Sequence, residues 1–207
     1  ILFHVDAVQA LGKIPLNGAQ LGADLLSLSA HKVHGPKGVG ALFVRRGAAI
    51  EALLHGGHQE HGLRAGTENV VGIIGFAEAV RLLRSIPVPD PTIRARRDRL
   101  EESLQAKFPR MIVNGKGAPR SPAISNVTFP DLDAAYLARR LDRAGVMVSV
   151  GSACNSGSGD PSHVLRAMGR TTDLAQGVRF SLSRMNTDEE IDIAIETIEK
   201  IGNFAES

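Results

Sequence analysis

The feature that most constrains the fold is a pair of short, largely apolar runs on either side of a turn that contains a lysine. Residues Ala23–Leu28 precede the turn and residues Val39–Val44 follow it. Apolar runs without strict alternation are typical of strands that are covered on both faces of a parallel or mixed sheet. The turn between them contains Lys32, Pro36 and several glycines. The pattern therefore predicts an α/β fold with Lys32 at the end of a buried strand.

A lysine in that position has a chemical use. Its ammonium is costly at the end of a buried strand unless it is paired or neutralised. The amine is well suited to forming a Schiff base with a carbonyl cofactor. Ser29 and His31 precede it and can donate hydrogen bonds to a phosphate held nearby. A surface turn with Lys32 in solvent is the alternative that these residues alone leave open.

Composition and charge exclude several classes of protein. The chain has 207 residues, of which 43% are hydrophobic, so it can bury the core of one large domain or two small ones. Its net charge is +2 and both signs are spread along the chain, which argues against a nucleic-acid or membrane surface. No apolar run reaches membrane-spanning length. The single cysteine excludes a disulfide within the chain, so we expect a reducing, cytoplasmic setting.

The proline-rich segment Pro87–Pro91 predicts a domain boundary that divides residues 1–86 from residues 87–207. Before it we expect a mostly buried helix over Asn69–Leu83. After it, strands alternate with amphipathic helices, and Thr187–Glu190 forms a capping box that opens the last helix. The chain opens inside an apolar run without an initiator methionine, so we expect it to be the C-terminal part of a longer protein.

Two residues of the second half can carry chemistry. Cys154 lies in the Gly/Ser-rich segment Ser149–Gly159, which suits a nucleophile that moves between a buried site and an acceptor. An incidental cysteine is the alternative, and a Cys–His hydrolase built with His163 lacks a third orienting residue. Arg179 lies in the predicted strand Val178–Ser181. It can bind a carboxylate with both guanidinium nitrogens or form an ordinary ion pair on a sheet face.

Residues near the start of the chain also suggest ligand binding. Asp6 comes just past the C-terminal end of a predicted parallel strand, where α/β sheets collect ligands, although aspartate is also a common helix cap. His55, His58 and His61 suggest a metal site, but the neighbouring glycines argue against the helix that would bring them to one side. We therefore expect no metal there.

Five motifs in this order resemble the pyridoxal-phosphate-dependent cysteine desulfurases of the aminotransferase class V superfamily. The motifs are His4–Gln9, Ser29–Gly38, Arg64–Asn69, Gly151–Cys154 and Val178–Ser181. Each is modest alone, but together they are specific and run through nearly the whole chain. The resemblance implies fold type I of the pyridoxal-phosphate-dependent transferases, an α/β fold. Residues 1–86 would then be part of the cofactor-binding large domain and residues 87–207 a complete small C-terminal α/β domain.

The resemblance implies how the cofactor, pyridoxal 5'-phosphate, would be held. Lys32 would form the internal aldimine and later move the proton from the α-carbon of the substrate, whereas Lys37 would not. Asp6 would pair with the protonated pyridine nitrogen, which keeps the ring an electron sink. Gln9 would hydrogen-bond the phenolic oxygen.

The remaining site residues would bind phosphate and substrate. Ser29 and His31 would bind the cofactor phosphate, and Thr67 would reach the phosphate of a partner subunit, which implies a homodimer. Arg179 would hold the carboxylate of L-cysteine. Cys154 would attack the substrate sulfur, so that it carries a persulfide and alanine is released.

The implied activity is therefore that of a cysteine desulfurase, which passes sulfur to an iron–sulfur scaffold or to a sulfur carrier for tRNA and thio-cofactor synthesis. The alternatives are a class V aminotransferase or selenocysteine lyase, or an inactive fragment that serves as a binding module. Family members carry an upstream half of the large domain that this sequence lacks. If the chain is the whole polypeptide, we expect weak or absent cofactor binding and an exposed apolar sheet edge.

Overall fold

The chain forms two compact units in a computed structural model that describes residues 1–150, 162–171 and 176–205. We call Ile1–Pro89 the N-terminal unit and Asp90–Ser207 the C-terminal unit. Each has its own sheet and its own apolar core. In the described ranges, no helix combines the length and the apolar composition needed to span a membrane.

The N-terminal unit is built on a three-stranded mixed sheet. Its strands are β1 (His4–Asp6), β2 (Leu25–Ser29) and β3 (Gly40–Val44). Its helices are α1 (Gly18–Leu21) and α2 (Val70–Leu83), with two 3₁₀ helices at Ala30–Val33 and Gln59–Gly62. The strands lie in the order β1-β2-β3, with β1 parallel and β3 antiparallel to β2. The mixed sheet predicted from the apolar runs is confirmed.

The turn that carries Lys32 is fixed by the core of this unit. It begins directly after β2 as the 3₁₀ helix Ala30–Val33, whose first and last residues are buried. These two residues pack against Phe76 and Ala79 on the buried side of α2. Because the apolar residues on both sides of Lys32 are held in the core, the position of the lysine backbone is set by packing.

The N-terminal unit leaves much apolar surface in contact with solvent. The prediction of a mostly buried α2 is wrong, since Val71 is 83% and Ile74 is 64% exposed. The expectation that the strands are covered on both faces also fails at the edge strand β3, where Leu42 is 50% and Phe43 is 44% exposed. The exposed apolar sheet edge expected for this chain is therefore observed at β3.

The C-terminal unit packs helices against a four-stranded antiparallel sheet. Its helices are α3 (Pro91–Lys107), α4 (Ala134–Arg143), α5 (His163–Ala167) and α6 (Asp188–Ala205). Its strands are β4 (Ile112–Val113), β5 (Ile124–Thr128), β6 (Ser149–Val150) and β7 (Val178–Ser181), in the order β4-β5-β7-β6. Leu104 of α3, Leu137 of α4 and Ile198 of α6 are fully buried in one apolar cluster with the strands.

The capping box predicted at the start of α6 is confirmed. The Glu190 N–H donates to Thr187 Oγ1 at 3.2 Å, and the Thr187 N–H donates to Glu190 Oε2 at 3.1 Å. Each hydrogen bond satisfies a backbone N–H that the helix itself cannot pair. The helix then turns Ile191, Ile195 and Ile198 into the core, as their spacing predicts.

A buried ion network ties α3 to the sheet of the C-terminal unit. The Glu101 carboxylate accepts hydrogen bonds from Arg120 at 2.7 and 3.0 Å and from the Ser125 hydroxyl at 2.7 Å. Arg97, one turn earlier on α3, is also buried and lies 3.9 Å from the same carboxylate. Burial acts to raise the pKa of Glu101, but the hydrogen bonds from Arg120 and Ser125 outweigh it and hold the pKa below its ordinary value.

We expect E101Q to lower the free energy of unfolding by about 3 kcal/mol at neutral pH, because the substitution leaves Arg120 without its buried counter-charge and leaves Asp98 as the counter-charge of Arg97. Since folding lowers the pKa of Glu101, the contribution of its carboxylate to the free energy of unfolding is complete above about pH 4.3. This contribution is lost as the pH falls through the pKa of Glu101 in the folded chain. In urea unfolding experiments, the difference in the free energy of unfolding between E101Q and the unsubstituted chain should therefore become smaller at acid pH.

Glu102 provides the matched control for this experiment, since it is the next residue of the same helix and is exposed. E102Q should change the free energy of unfolding by less than about 0.5 kcal/mol. Equal stability of E101Q and the unsubstituted chain at neutral pH would contradict a stabilising role for the network.

Candidate functional site

Two parallel strands of the N-terminal unit end at the same edge of its sheet. Asp6 is the last residue of β1 and Ser29 is the last residue of β2. The register pairs Asp6 with Ser27, so the two strand ends lie close together. The carboxyl ends of parallel strands are where α/β sheets bind ligands. This edge is therefore the candidate site of the N-terminal unit, and we call it the strand-end site.

Lys32 stands at the strand-end site on the 3₁₀ helix that follows β2. Its side chain is half-buried. Within the described part of the chain, its ammonium takes part in no hydrogen bond and no ion pair. A half-buried amine without a counter-ion is available for covalent attachment to a carbonyl group.

Ser29 and His31 place two polar groups beside Lys32. A hydrogen bond of 2.8 Å joins Ser29 Oγ to His31 Nδ1, and its direction depends on the imidazole tautomer. The imidazole is exposed, whereas the hydroxyl is half-buried. When an anion such as a phosphate replaces this hydrogen bond, the hydroxyl and the imidazole can each donate to it.

Asp6 and Gln9 lie on the segment that leaves β1. Asp6 Oδ1 accepts a hydrogen bond from the Val8 N–H at 3.0 Å, and the described residues leave its second oxygen free. Gln9 is exposed, and its Oε1 accepts a hydrogen bond from Lys13 Nζ at 2.5 Å. The amide NH₂ of Gln9 thus keeps its donors for a ligand. Lys13 was not singled out from the sequence, although two residues spaced four apart in a helical turn can be expected to contact each other.

A further polar contact joins the two parallel strands. His4 Nε2 and Ser27 Oγ lie 2.8 Å apart in a hydrogen bond between β1 and β2. His4 and Asp6 are two residues apart on β1 and therefore point to the same face of the sheet. Sequence reasoning missed this contact because it depends on the strand register, which links residues 23 positions apart.

Thr67 lies in the connection between β3 and α2, two residues before the residue that caps α2. That cap is Asn69, whose side chain accepts a hydrogen bond from the Gly72 N–H at 3.0 Å. Thr67 is exposed and has no hydrogen bond within the described ranges. Among the described residues, no hydrogen bond joins it to the strand-end site.

The histidine-rich part of the same connection contains unusual backbone. Glu60 and His61 have φ angles of 49° and 59°, in the left-handed region that non-glycine residues rarely adopt. Among the residues that the structure describes, no group of three or more histidine, cysteine, aspartate or glutamate side chains is arranged to hold a metal ion.

Arg179 is in the C-terminal unit, near the start of β7. It pairs with Asn126 of β5 and Ser149 of β6, on the sheet face opposite to buried Val178 and Phe180. Its side chain is half-buried, and the carboxylates of the described residues form no ion pair with it. Its guanidinium is thus free to bind a ligand carboxylate through two nitrogens.

The structure therefore brings Asp6, Ser29, His31 and Lys32 together at one edge, with Gln9 on the adjoining segment. Cys154 lies outside the described residues. The groups at the strand-end site fit pyridoxal phosphate: an amine for its aldehyde, a carboxylate for its pyridine nitrogen, and a hydroxyl with an imidazole for its phosphate. Arg179 belongs to the other unit and offers a group for a carboxylate.

Comparison with known proteins gives consistent matches. The sequence pattern of the aminotransferase class-V family matches residues 1–193. A cysteine desulfurase of Klebsiella pneumoniae is 49% identical over 202 residues, which are 97% of this chain and 51% of that protein. The solved structure of a NifS-like protein from Rickettsia africae is 32% identical with a TM-score of 0.84, and the match covers 98% of this chain and 54% of that one.

A solved structure of SspA in complex with cysteine is also similar, at 36% identity and a TM-score of 0.67 over 88% of this chain and 50% of that one. The chain thus spans about half the length of the relatives that it matches. These matches confirm the predicted fold class, a partial fold type I of the pyridoxal-phosphate-dependent transferases. The five motifs are therefore more than a resemblance: the chain belongs to the class-V aminotransferase family.

Proposed function

We propose that this chain acts in a pyridoxal-phosphate-dependent cysteine desulfurase, which converts L-cysteine to L-alanine and transfers the sulfur to Cys154. The observation that carries the proposal is the half-buried amine of Lys32, which has no partner in the described residues and stands beside Asp6 and the Ser29–His31 pair. The 49% identity to a protein named cysteine desulfurase supports the choice of reaction within the family.

The N-terminal unit would bind the cofactor. Bound pyridoxal phosphate supplies an electron sink for negative charge at the substrate α-carbon. Lys32 would hold the cofactor through its amine, and the same amine would take up and return the α-proton of the substrate. The Asp6 carboxylate would keep a proton on the pyridine nitrogen, and the Gln9 amide would donate to the phenolic oxygen.

The contacts that we propose for the cofactor phosphate imply a homodimer. Ser29 and His31 would donate to the cofactor phosphate of their own subunit, because they lie on the same turn as Lys32. Thr67 would donate to the phosphate in the partner subunit. Within the described residues, Thr67 forms no hydrogen bond to the strand-end site of its own unit, which is consistent with that assignment.

The C-terminal unit would bind the substrate and accept its sulfur. Arg179 holds the carboxylate of L-cysteine, and the similarity to SspA in complex with cysteine supports that substrate. The Cys154 thiolate attacks the substrate sulfur, so that an S–S bond forms and the carbon–sulfur bond breaks. The electron pair of the broken bond stays on the substrate carbon, which takes up a proton to become the methyl group of alanine. A cytoplasmic iron–sulfur scaffold or sulfur carrier would then take the persulfide sulfur.

The test is the stoichiometry of the reaction. The chain supplied with pyridoxal phosphate, L-cysteine and dithiothreitol should form alanine and sulfide in equal amounts without any 2-oxo acid. An aminotransferase would require a 2-oxo acid and would release no sulfide. A selenocysteine lyase would act on selenocysteine in preference to cysteine. A chain that turns over neither amino acid would be a binding module, and the proposal would fail.

We expect R179Q to raise the KM for L-cysteine by about 30- to 100-fold, because a charge-assisted pair of hydrogen bonds to the substrate carboxylate is lost. Steady-state kinetics of sulfide release would measure the change. R139Q, which alters an exposed arginine on α4, should leave the KM unchanged. A KM for R179Q equal to that of the unsubstituted chain would show that another group holds the carboxylate.

A further inference from the structure

Lys13 contacts Gln9, a residue next to the strand-end site, but has no role in the proposed reaction. It lies in the series of turns between β1 and α1, and its side chain is half-buried. The backbone holds these turns firmly. The N–H groups of Lys13 and Ile14 both donate to the Ala10 carbonyl, at 3.0 and 3.1 Å. The position of Lys13 relative to Gln9 is thus set by local hydrogen bonds.

A tertiary contact fixes the same turns. Gly12 has a φ angle of +70°, in the left-handed region that favours glycine. A Cβ atom at this position would lie 2.9 Å from Leu83 Cδ1 at the end of α2. The turn therefore packs against the side chain of Leu83, and its left-handed backbone at Gly12 disfavours residues with a Cβ atom. Gly12 directly precedes Lys13, so this contact and the hydrogen bonds to the Ala10 carbonyl together fix the backbone from which the Lys13 side chain reaches Gln9.

The contact between Lys13 and Gln9 selects one orientation of the Gln9 amide. An ammonium group only donates hydrogen bonds, so Lys13 Nζ must face the amide oxygen, at 2.5 Å. The NH₂ group of Gln9 is then turned away from Lys13 with both of its protons free. A glutamine without such a partner samples both amide orientations, and only one of them offers a donor to an anionic oxygen.

The ammonium groups of Lys13 and Lys32 also interact with each other. Burial, and secondarily the positive charge of Lys32, lower the pKa of Lys13 below its ordinary value. The two side chains are therefore close enough to interact electrostatically.

We propose that Lys13 is a positioning residue for the cofactor, which fixes the Gln9 amide so that its NH₂ group donates to the phenolic oxygen of pyridoxal phosphate. The assignment deepens the proposed function and rests on it. Lys13 acts through Gln9 and does not touch the substrate.

The first experiment needs no cofactor. In the ¹⁵N-labelled chain, the side-chain amide of Gln9 should be ordered, and in K13M its NMR relaxation should become that of the exposed Gln20 amide. K13R keeps a cationic donor and should retain the order. K37M, a change of an exposed lysine in the same unit, should have no effect. A Gln9 amide that is equally mobile in K13M and in the unsubstituted chain would overturn the proposal.

The second experiment titrates the same variants with pyridoxal phosphate and follows the visible absorbance of the bound cofactor. K13M should bind about tenfold more weakly and with a shifted band, whereas K13R should stay close to the unsubstituted chain. In a Q9A background K13M should have no further effect, because the lysine acts through Gln9. If K13M weakened cofactor binding in the Q9A background by the same factor as in the unsubstituted chain, the proposal would be overturned. An unsubstituted chain that binds no pyridoxal phosphate would instead contradict the proposed function. The NMR measurement on the Gln9 amide needs no cofactor, so it tests the role of Lys13 separately from cofactor binding.

Discussion

Replacing Lys32 by alanine is expected to remove covalent attachment of pyridoxal phosphate and to lower sulfide release from L-cysteine by about a thousandfold or more. Two losses combine in this variant, because in the proposed reaction the same amine would attach the cofactor and move the α-proton. The structure gives Lys32 the environment for both tasks. Its side chain is half-buried at the ends of two parallel strands and has no counter-ion among the described residues.

Three lysines of the N-terminal unit compete for this role, so the site of attachment decides the assignment. Borohydride reduction of the loaded chain, followed by peptide mass mapping, should find the cofactor on Lys32 and not on Lys13 or Lys37. K37A is the matched control, since Lys37 is exposed on the next turn of the same segment, and it should retain full turnover. A label on either other lysine, or normal turnover by K32A, would show that the assignment is wrong.

The position of Lys32 could be predicted because it depends on a local pattern. Two apolar runs on either side of a turn specify two strands whatever the rest of the chain does, and the turn must then stand at the end of the first strand. The structure confirms this with β2, the 3₁₀ helix Ala30–Val33 and β3. The capping box of α6 was predictable for the same reason, since all of its groups lie within four residues.

Burial in the N-terminal unit could not be predicted from composition. The apolar residues of α2 are numerous enough for a buried helix, yet only Gly72, Phe76 and Ala79 are buried. The number of apolar residues on a helix does not say which faces have something to pack against, because that depends on elements far away in the chain. The same reason explains the exposed side chains of β3, an edge strand with a single neighbour.

Contacts between side chains were the least accessible to sequence reasoning. The hydrogen bond between His4 and Ser27 needs the register of two strands. For Arg179, the sequence left an ion pair on the sheet face and a ligand site equally open. The choice depends on which carboxylates fold close to it, and in the described residues none forms an ion pair with it. The arginine therefore remains available for the carboxylate of a substrate.

Replacing Cys154 by serine is expected to abolish sulfide release while L-cysteine still binds and changes the absorbance of the bound cofactor. The step that fails is the attack on the substrate sulfur, since a serine hydroxyl is far less nucleophilic towards sulfur than a thiolate. The steps that depend on the strand-end site need no thiol and should persist. This combination separates a desulfurase from an aminotransferase of the same family, in which Cys154 would have no task.

The composition of the chain makes this experiment unusually direct. Cys154 is the only cysteine in the 207 residues, so a persulfide on this polypeptide can form at no other position. Without a reductant, one turnover should add the mass of a single sulfur atom to the unsubstituted chain and none to C154S. S158A, which changes a serine of the same Gly/Ser-rich segment, should gain the sulfur normally. Sulfide release by C154S at the rate of the unsubstituted chain would mean that the sulfur leaves without passing through Cys154, as in a lyase.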